Sequence, residues 1–228
     1  MDVYFVKTQG TGDRSVNKDL GFTKAHHVML SYGFKISDNA NMKIEPYFQQ
    51  LYNVPVIADS SYSVLNRRDF YVENVLVNQG KGRNIGVDIT LERYLYKGLY
   101  YMVTASIFDS KYYGGDRKWR NTLYNRNFIV NVLGGKEWMV GRDKQNIFSM
   151  NFKITLQGGD RYAPVDEAAT LLDPDREVQY DETKAFSKQF SPMFITNFSV
   201  GYKINRKKVS HEFSIKSLNT TGCEEYYG

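Results

Sequence analysis

The strongest constraint on this chain is a two-residue period that persists through unusually long runs. In the segment FSMNFKITLQ, at residues 148–157, apolar side chains alternate with polar ones throughout. Successive side chains of a strand point to opposite faces, so this period predicts a strand with one apolar and one polar face. Similar runs predict eight strands, at residues 25–36, 42–52, 83–95, 99–112, 127–139, 147–157, 193–204 and 209–217. No segment has a convincing helical period, so we predict an all-β chain.

The connections between the predicted strands alternate strictly between short and long. Four are tight, at residues 37–41, 96–98, 141–146 and 205–208. Three are long, at residues 53–82, 113–126 and 158–192. This alternation predicts an antiparallel up-and-down meander with every long loop at one end. Compact soluble domains rarely carry irregular loops beyond about 12–15 residues, whereas outer-membrane barrels combine tight turns on one side with long loops on the other.

Strand length and aromatic placement also favour a transmembrane barrel. The predicted strands run for about 10–13 residues, close to the roughly 9–11 that a tilted membrane strand needs. Aromatic residues lie near strand ends, where the girdles of such barrels lie: Tyr94, Tyr96, Tyr100, Tyr112, Tyr113, Phe128, Trp138 and Tyr202. The predicted lipid face contains Ile85, Val87, Ile89, Leu91, Phe148, Met150, Phe152, Ile154 and Leu156. The alternative is a soluble sandwich or lipocalin-like barrel with one wet face.

Two local features carry more specific predictions. The letters GGDR end two alternating runs, at residues 114–117 and 158–161. We interpret each as an exit from an ascending strand, in which paired glycines relax the strand and Asp-Arg begins a solvated loop. Two independent glycine-rich turns are the alternative. Pro46 cannot donate a hydrogen bond to a ladder, so it predicts a bulge or a sheet edge.

Composition and motifs argue against several other classes of protein. No apolar run approaches the roughly 18 residues of a membrane helix. Cys223 is the only cysteine, which excludes an internal disulfide and a thiolate metal site. His26 and His27 are adjacent in a predicted strand and therefore point to opposite faces. The acidic run at residues 166–182 lacks the spacing of a calcium loop and predicts a solvated loop. We predict no enzyme, cofactor or metal site.

The net charge is +5, and the basic residues lie mostly in predicted loops. This distribution favours solvated loops, or loops that face an anionic membrane surface, over a nucleic-acid site. We therefore predict no nucleic-acid partner.

Six segments in order resemble strands of a TonB-dependent outer-membrane receptor. They are AHHVMLSYGF (25–34), KIEPYFQQLYNVPV (43–56), GKGRNIGVDITLER (80–93), NVLGGKEWMVGRDKQN (131–146), LQGGDRYAPVD (156–166) and HEFSIKSLNTTG (211–222). The resemblance covers about residues 3–227. It implies that residues 1–228 form one incomplete domain, the C-terminal part of the barrel, roughly strands 14–21 of 22.

The same resemblance implies a non-enzymatic function in nutrient uptake across a Gram-negative outer membrane. Its implied partners are outer-membrane lipid and, in the complete receptor, a plug domain, TonB and an imported small ligand. No plug and no final aromatic-ended strand are recognisable, so we expect the chain not to transport by itself. Two other functions stay open, namely a complete eight-stranded outer-membrane barrel, closed by pairing near Ala25 and Val209, and a soluble β-sandwich binding module.

Exposed aromatic and arginine side chains on the long loops are the candidates for ligand contact, because they supply stacking and bidentate hydrogen bonds. An ordinary loop without ligand contacts is the alternative. The candidates are Trp119, Arg120, Tyr124, Arg126, Arg161 and Tyr162.

Overall fold

A computed structural model describes residues 16–67, 74–175 and 177–223 of the chain. Strands make up 60% of it and helices 6%, which confirms the all-β prediction. The elements in chain order are β1 (Lys24–Met29), β2 (Tyr32–Ser37), β3 (Ala40–Val56), β4 (Val77–Tyr96), β5 (Leu99–Tyr113), β6 (Trp119–Asn121), β7 (Phe128–Val140), β8 (Asn146–Gln157), β9 (Arg161–Tyr162), α1 (Glu167–Leu172), β10 (Lys188–Gln189), β11 (Met193–Asn205) and β12 (Ser210–Ser217). Part of the predicted first long loop, residues 68–73, and the ends of the family resemblance lie outside the described residues.

The strands form a ten-stranded antiparallel sheet in the order β1-β3-β4-β5-β7-β8-β11-β12. The short strands β2 and β6 pair with β3 and β5, while β9 and β10 form a separate two-stranded ribbon. Long strands that follow one another in sequence are neighbours in the sheet, which confirms the predicted meander. Within the described residues β1 pairs only with β3 and β12 only with β11, so the sheet is open.

The connections also follow the prediction. Tight turns join β2 to β3, β4 to β5, β7 to β8, and β11 to β12, and long segments join β3 to β4, β5 to β7, and β8 to β11. In the antiparallel order all long segments emerge at one end, which we call the loop end. The opposite end, with the tight turns, is the turn end.

The predicted first strand, residues 25–36, is in fact two strands, and Pro46 explains the break. In the register of β3, Pro46 lies opposite Leu30, between the pairs Met29–Tyr47 and Tyr32–Ile44. The Leu30 N–H donates to the Pro46 carbonyl at 3.1 Å, but Pro46 has no N–H to return. The register on both sides of the break is the same, and β3 is paired on its other side with β4. The prediction of a bulge or a sheet edge at Pro46 is therefore wrong, and the ladder is only interrupted.

One face of the sheet is apolar across almost its full width. Directly paired residues of antiparallel strands lie on the same face. One such row crosses seven strands and contains Tyr32, Ile44, Ile89, Ala105, Val130, Leu156 and Phe194. Side chains of this apolar face are accessible, with Ile85 49% exposed, Ile107 58% and Phe152 44%.

The other face, the polar face, carries hydrogen bonds between side chains of different strands. The Ser106 hydroxyl of β5 donates to the Asp88 carboxylate of β4 at 2.5 Å. The Tyr100 hydroxyl of β5 donates to Asn151 of β8 at 2.7 Å, and Asn151 donates to Ser199 of β11 at 3.2 Å. The polar side chains of this face thus serve as hydrogen-bond partners for one another, and they need no second layer of protein to supply those partners.

Neither face of the central sheet covers an apolar core in the described part of the chain. The buried apolar residues there are Ala40, Val54, Val56, Leu76, Tyr112, Leu123, Ala185 and Met193. Ala40 lies at the turn end, and the others lie at the loop end or in the long segments. Burial is therefore concentrated where the long segments meet the sheet.

The third long segment contains a short helix that the sequence analysis did not predict. Asp166 caps α1, and its carboxylate accepts the Ala169 N–H at 3.0 Å. Asp173 follows the helix and accepts the N–H groups of Asp175 and Glu177 at 2.9 and 3.3 Å. Part of the acidic run therefore begins and follows a short helix. The predicted loop is helical at residues 167–172, but none of the acidic residues of the run that the structure describes is buried, as a solvated segment requires.

Candidate functional site at the loop end of the sheet

The long segments fold onto the polar face at the loop end. Tyr112, the penultimate residue of β5, is fully buried and packs edge-on against Phe186 of the third segment, with 6.1 Å between ring centroids. Arg120 of β6 donates to the Thr183 carbonyl at 3.3 Å. The Ser60 carbonyl of the first segment accepts the Asp116 N–H at 3.0 Å. All three long segments are thus joined through a few contacts around the end of β5.

The first GGDR sequence anchors one of these contacts. A Cβ on Gly115 would overlap the Ile57 carbonyl oxygen, so only glycine allows the first segment to cross at this position. The Asp116 carboxylate accepts two hydrogen bonds from the Arg120 guanidinium, at 2.8 and 2.5 Å. Both side chains are mostly buried, with 19% and 7% exposed.

The second GGDR sequence repeats the arrangement at the end of β8. A Cβ on Gly158 would overlap the carbonyl oxygen of Arg126, from the preceding long segment. Asp160 accepts a hydrogen bond from Nε of the same Arg126 at 2.7 Å. The two GGDR sequences are indeed strand exits. The prediction that Asp-Arg begins a solvated loop is wrong for the two aspartates, since each is partly buried in an arginine pair, whereas Arg117 is exposed as predicted.

We expect Gly115→Ala to destabilise the loop end by about 1–3 kcal/mol, as overpacking against fixed structure does. The colliding atoms are backbone and cannot rotate away. Gly33→Ala is the matched control, because its Cβ would approach no atom closer than 3.9 Å. Chemical denaturation of the natural polypeptide that carries each variant measures the difference, and equal midpoints would show that the first segment does not need this crossing.

The Asp116–Arg120 pair makes the loop end sensitive to acid. Hydrogen bonds from Arg120 hold the pKa of Asp116 below its ordinary value of 3.8. A depressed pKa contributes stability that is complete above the unfolded value and is lost as the pH falls through the folded value. We therefore expect the hydrogen-exchange protection factors of the amides at residues 114–126, which are corrected for the intrinsic pH dependence of exchange, to fall below about pH 4. Asp116→Asn should remove this part of the acid dependence, and an unchanged profile in that variant would contradict the assignment.

A hollow of about 500 Å³ lies on the polar face next to these segments. Aromatic side chains and hydrogen-bonding groups alternate around it, and its lining is His27, Met29, Tyr47, Gln49, Asn84, Asp88, Phe108, Ser110 and Tyr124. Inside it, Asn84 donates to Gln49 at 2.7 Å and accepts from the Ser110 hydroxyl at 2.6 Å. This mixture of flat apolar surfaces with a few polar groups, one of them the Asp88 carboxylate, is typical of a small-molecule site.

Tyr124 is the one predicted ligand-contact residue that lines the hollow. It is 51% exposed, and its hydroxyl donates to the Arg67 carbonyl at 3.1 Å. Trp119 lies on the opposite, apolar face, because β6 pairs it with Tyr113, which pairs with Lys81 of β4. The guanidinium of Arg120 donates two hydrogen bonds to the Asp116 carboxylate, which leaves it little capacity for a ligand.

The other three candidates contact residues of the long segments, and two of them, Arg126 and Arg161, join the second segment to the third. Arg126 pairs with Asp160, as described above. Arg161 donates to the Asn125 carbonyl and to the Asn127 side chain, each at 2.7 Å. Tyr162 stacks on Phe190 with 4.3 Å between ring centroids. The contacts of Arg126, Arg161 and Tyr162 are therefore with other loop residues.

The strand residues of the hollow were not among the predicted ligand contacts. Their signal in the sequence is weak, since each is simply a polar-face position of its strand. One expectation does hold around it. His26 and His27 lie on opposite faces, packed edge-on against Tyr52 and Tyr47.

No three His, Cys, Asp or Glu side chains of residues 16–67, 74–175 and 177–223 converge as metal ligands. In the same ranges, no helix has the length and apolarity needed to cross a membrane. Comparisons of the chain with protein-family models, with curated proteins and with solved structures found no match.

Proposed function

We propose that the chain is the C-terminal barrel part of a TonB-dependent outer-membrane receptor that takes up a scarce nutrient. The observation that carries the proposal is the accessible apolar face across the meander, backed by a face of hydrogen-bonded polar side chains. In water such a face would be costly, at roughly 25 cal/mol for each Å² of apolar surface. Facing lipid, it needs no second layer of protein, and the polar face then lines the lumen.

The height of the apolar band supports this orientation. On β4 the apolar face contains Ile85, Val87, Ile89 and Leu91, bounded on the same face by Arg83 and Arg93. Ten residue steps separate the arginines, about 33 Å along the strand at a rise of about 3.3 Å. A tilt of about 40° reduces this to about 25 Å, the height of the apolar band of outer-membrane barrels.

Residues at the two limits of the band also suit a membrane interface. The Arg83 guanidinium lies over the Trp119 ring at 5.5 Å, and that of Arg93 lies over the Tyr96 ring at 5.9 Å. Towards the turn end, one row of directly paired residues is entirely aromatic: Trp138, Phe148, Tyr202 and Phe213. Arginine and aromatic side chains at this depth keep their polar groups near water while covering apolar surface.

Three observations favour a part of a large barrel over the alternatives. The pairing between β1 and β12 that a closed eight-stranded barrel needs is not made in the described residues. A soluble sandwich would pack its apolar face against a second sheet, and the only other described sheet is the ribbon of β9 and β10. The hollow opens on the polar face beside the long loops, where an imported ligand would enter a barrel lumen.

Sidedness of labelling tests the proposal. With Cys223 replaced by serine, Leu172→Cys places a thiol in the third long segment, at a position 83% exposed. Lys144→Cys places one in an exposed tight turn. A membrane-impermeant maleimide should label the first thiol in intact cells, and the second only after the outer membrane is permeabilised. Equal labelling of both thiols in intact cells, or of neither, contradicts the proposed orientation.

A separate observation distinguishes the receptor from a small barrel. The DNA on either side of the coding segment should encode a plug domain upstream and an aromatic-ended strand downstream. Absence of both from the genome would favour the small barrel.

A further inference from the structure

Two cations are directly opposite each other on the apolar face at the loop end. Arg83 of β4 pairs with Lys111 of β5, so both side chains lie on the same face in one row. Lys81, two residues before Arg83, lies on the same face in the next row and is exposed. Like charges directly opposite one another destabilise a sheet unless an anion neutralises them.

The protein neutralises this cluster only in part. Lys111 pairs with Asp109 at 3.3 Å, and Asn125 also donates to that carboxylate at 2.9 Å. The Nε atom of Arg83 is buried and has no hydrogen-bond partner among the described residues. In that part of the chain, three cations against one carboxylate leave two positive charges in excess, at a position where a buried guanidinium nitrogen lacks an acceptor.

Aromatic rings hold two of these cations in place. The Lys81 ammonium lies 5.6 Å from the centre of the Tyr113 ring, and the Arg83 guanidinium lies over Trp119. The two rings contact each other, with 5.5 Å between centroids. Such cation–π contacts orient a cation without neutralising it.

On β4 an accessible aliphatic surface begins one row below the cations. Ile85 follows Arg83 on the same face and is paired with Asp109 of β5, and Ile107 lies in the next row, paired with Val87. Ile85 and Ile107 are 49% and 58% exposed. A molecule with an anionic head and long apolar chains would therefore find cations for its head and an aliphatic surface for its chains along one line of the sheet.

We propose that Lys81, Arg83 and Lys111 bind the phosphate group of a membrane lipid in the leaflet at the loop end, with its acyl chains on Ile85 and Ile107. The inference rests on the proposed function, because it takes the apolar face as the lipid face. Phosphate suits the cluster because its oxygens can accept hydrogen bonds from Arg83 while they neutralise the positive charge that Asp109 leaves uncompensated. Continuity with the aliphatic surface selects a lipid rather than a soluble anion.

The test uses the natural polypeptide that carries this chain, reconstituted in two kinds of vesicle. One is phosphatidylcholine alone, and the other is phosphatidylcholine with a bis-phosphorylated glycolipid. Insertion is measured first, by heat-modifiable migration from the phosphatidylcholine vesicles. Retained lipid is then counted by native mass spectrometry for the wild type and for the double variant Arg83→Gln, Lys111→Gln. Arg93→Gln is the matched control, since it removes a ring-stacked arginine from the same strand and face at the other limit of the band.

We expect the wild type and Arg93→Gln to retain the phosphorylated glycolipid, and the double variant to lose it at least tenfold. Failure of the wild type to insert overturns the proposed function and this site together. Normal insertion with equal retention in all three proteins overturns the lipid site alone. Displacement of the glycolipid by millimolar inorganic phosphate also overturns it, because the acyl chains would then contribute nothing to binding.

Discussion

Phe152→Arg in the natural polypeptide is expected to lower the free energy of unfolding from a bilayer by about 2–4 kcal/mol, the cost of arginine on the lipid face at the midplane. Phe152 is central in the apolar side of β8, which runs from Phe148 to Leu156. It is 44% exposed, with Gly134 and Phe198 directly beside it. Ile89→Arg, near the middle of the band on β4, should have an effect of similar size.

The matched control is Thr155→Arg, three residues along the same strand on the polar face. Thr155 donates a hydrogen bond to Asn131 at 2.8 Å, so its loss should cost about 1 kcal/mol. Urea titration of protein folded into phosphatidylcholine vesicles measures both changes. A larger loss for Thr155→Arg than for Phe152→Arg would reverse the assignment of the two faces.

Residues 1–228 expressed alone in an outer-membrane host should aggregate or be degraded rather than form a closed barrel. Every described residue of the edge strands β1, β2 and β12 is exposed. An unpaired backbone group costs several kcal/mol in lipid, and in water an open edge recruits other chains. Among the residues that the structure describes, strand β12 is paired on one side only, to β11.

Heat-modifiable migration and protease resistance measure this outcome. The expected result is a single heat-independent band that protease removes completely. Coexpression with the neighbouring strands of a complete receptor should restore a compact band. A compact, protease-resistant band from residues 1–228 alone would instead favour the small-barrel alternative, with β1 and β12 brought together.

Much of the sheet could be predicted from the sequence, because a half-buried strand repeats its pattern every two residues. The long strands, their order and the alternation of turns and loops all follow from that period. The interruption at Leu30 is subtler. The sequence contains its cause, Pro46, but the partner of Pro46 depends on the register, and only the paired strands reveal which residue loses its hydrogen bond.

The loop end was harder to predict, because its contacts join residues far apart in the chain. Gly115 is recognisable as an unusual position, but the Ile57 carbonyl that requires it lies 58 residues earlier. Similarly, Arg126 and Arg161 are of a residue type that often contacts ligands, which is why the sequence analysis selected them. Their carboxylate and carbonyl partners are identified only when the second and third segments meet. The hollow depends on the sheet register in the same way.

The central claim is that the apolar face contacts lipid, and quenching by brominated phospholipids tests it most directly. A single fluorophore is attached to cysteine at position 152 or at position 155 of the natural polypeptide, in a background without Cys223. Phospholipids brominated in the middle of their acyl chains should quench the label at position 152 strongly and the label at position 155 weakly. Equal quenching at both positions, or stronger quenching at position 155, would contradict the account.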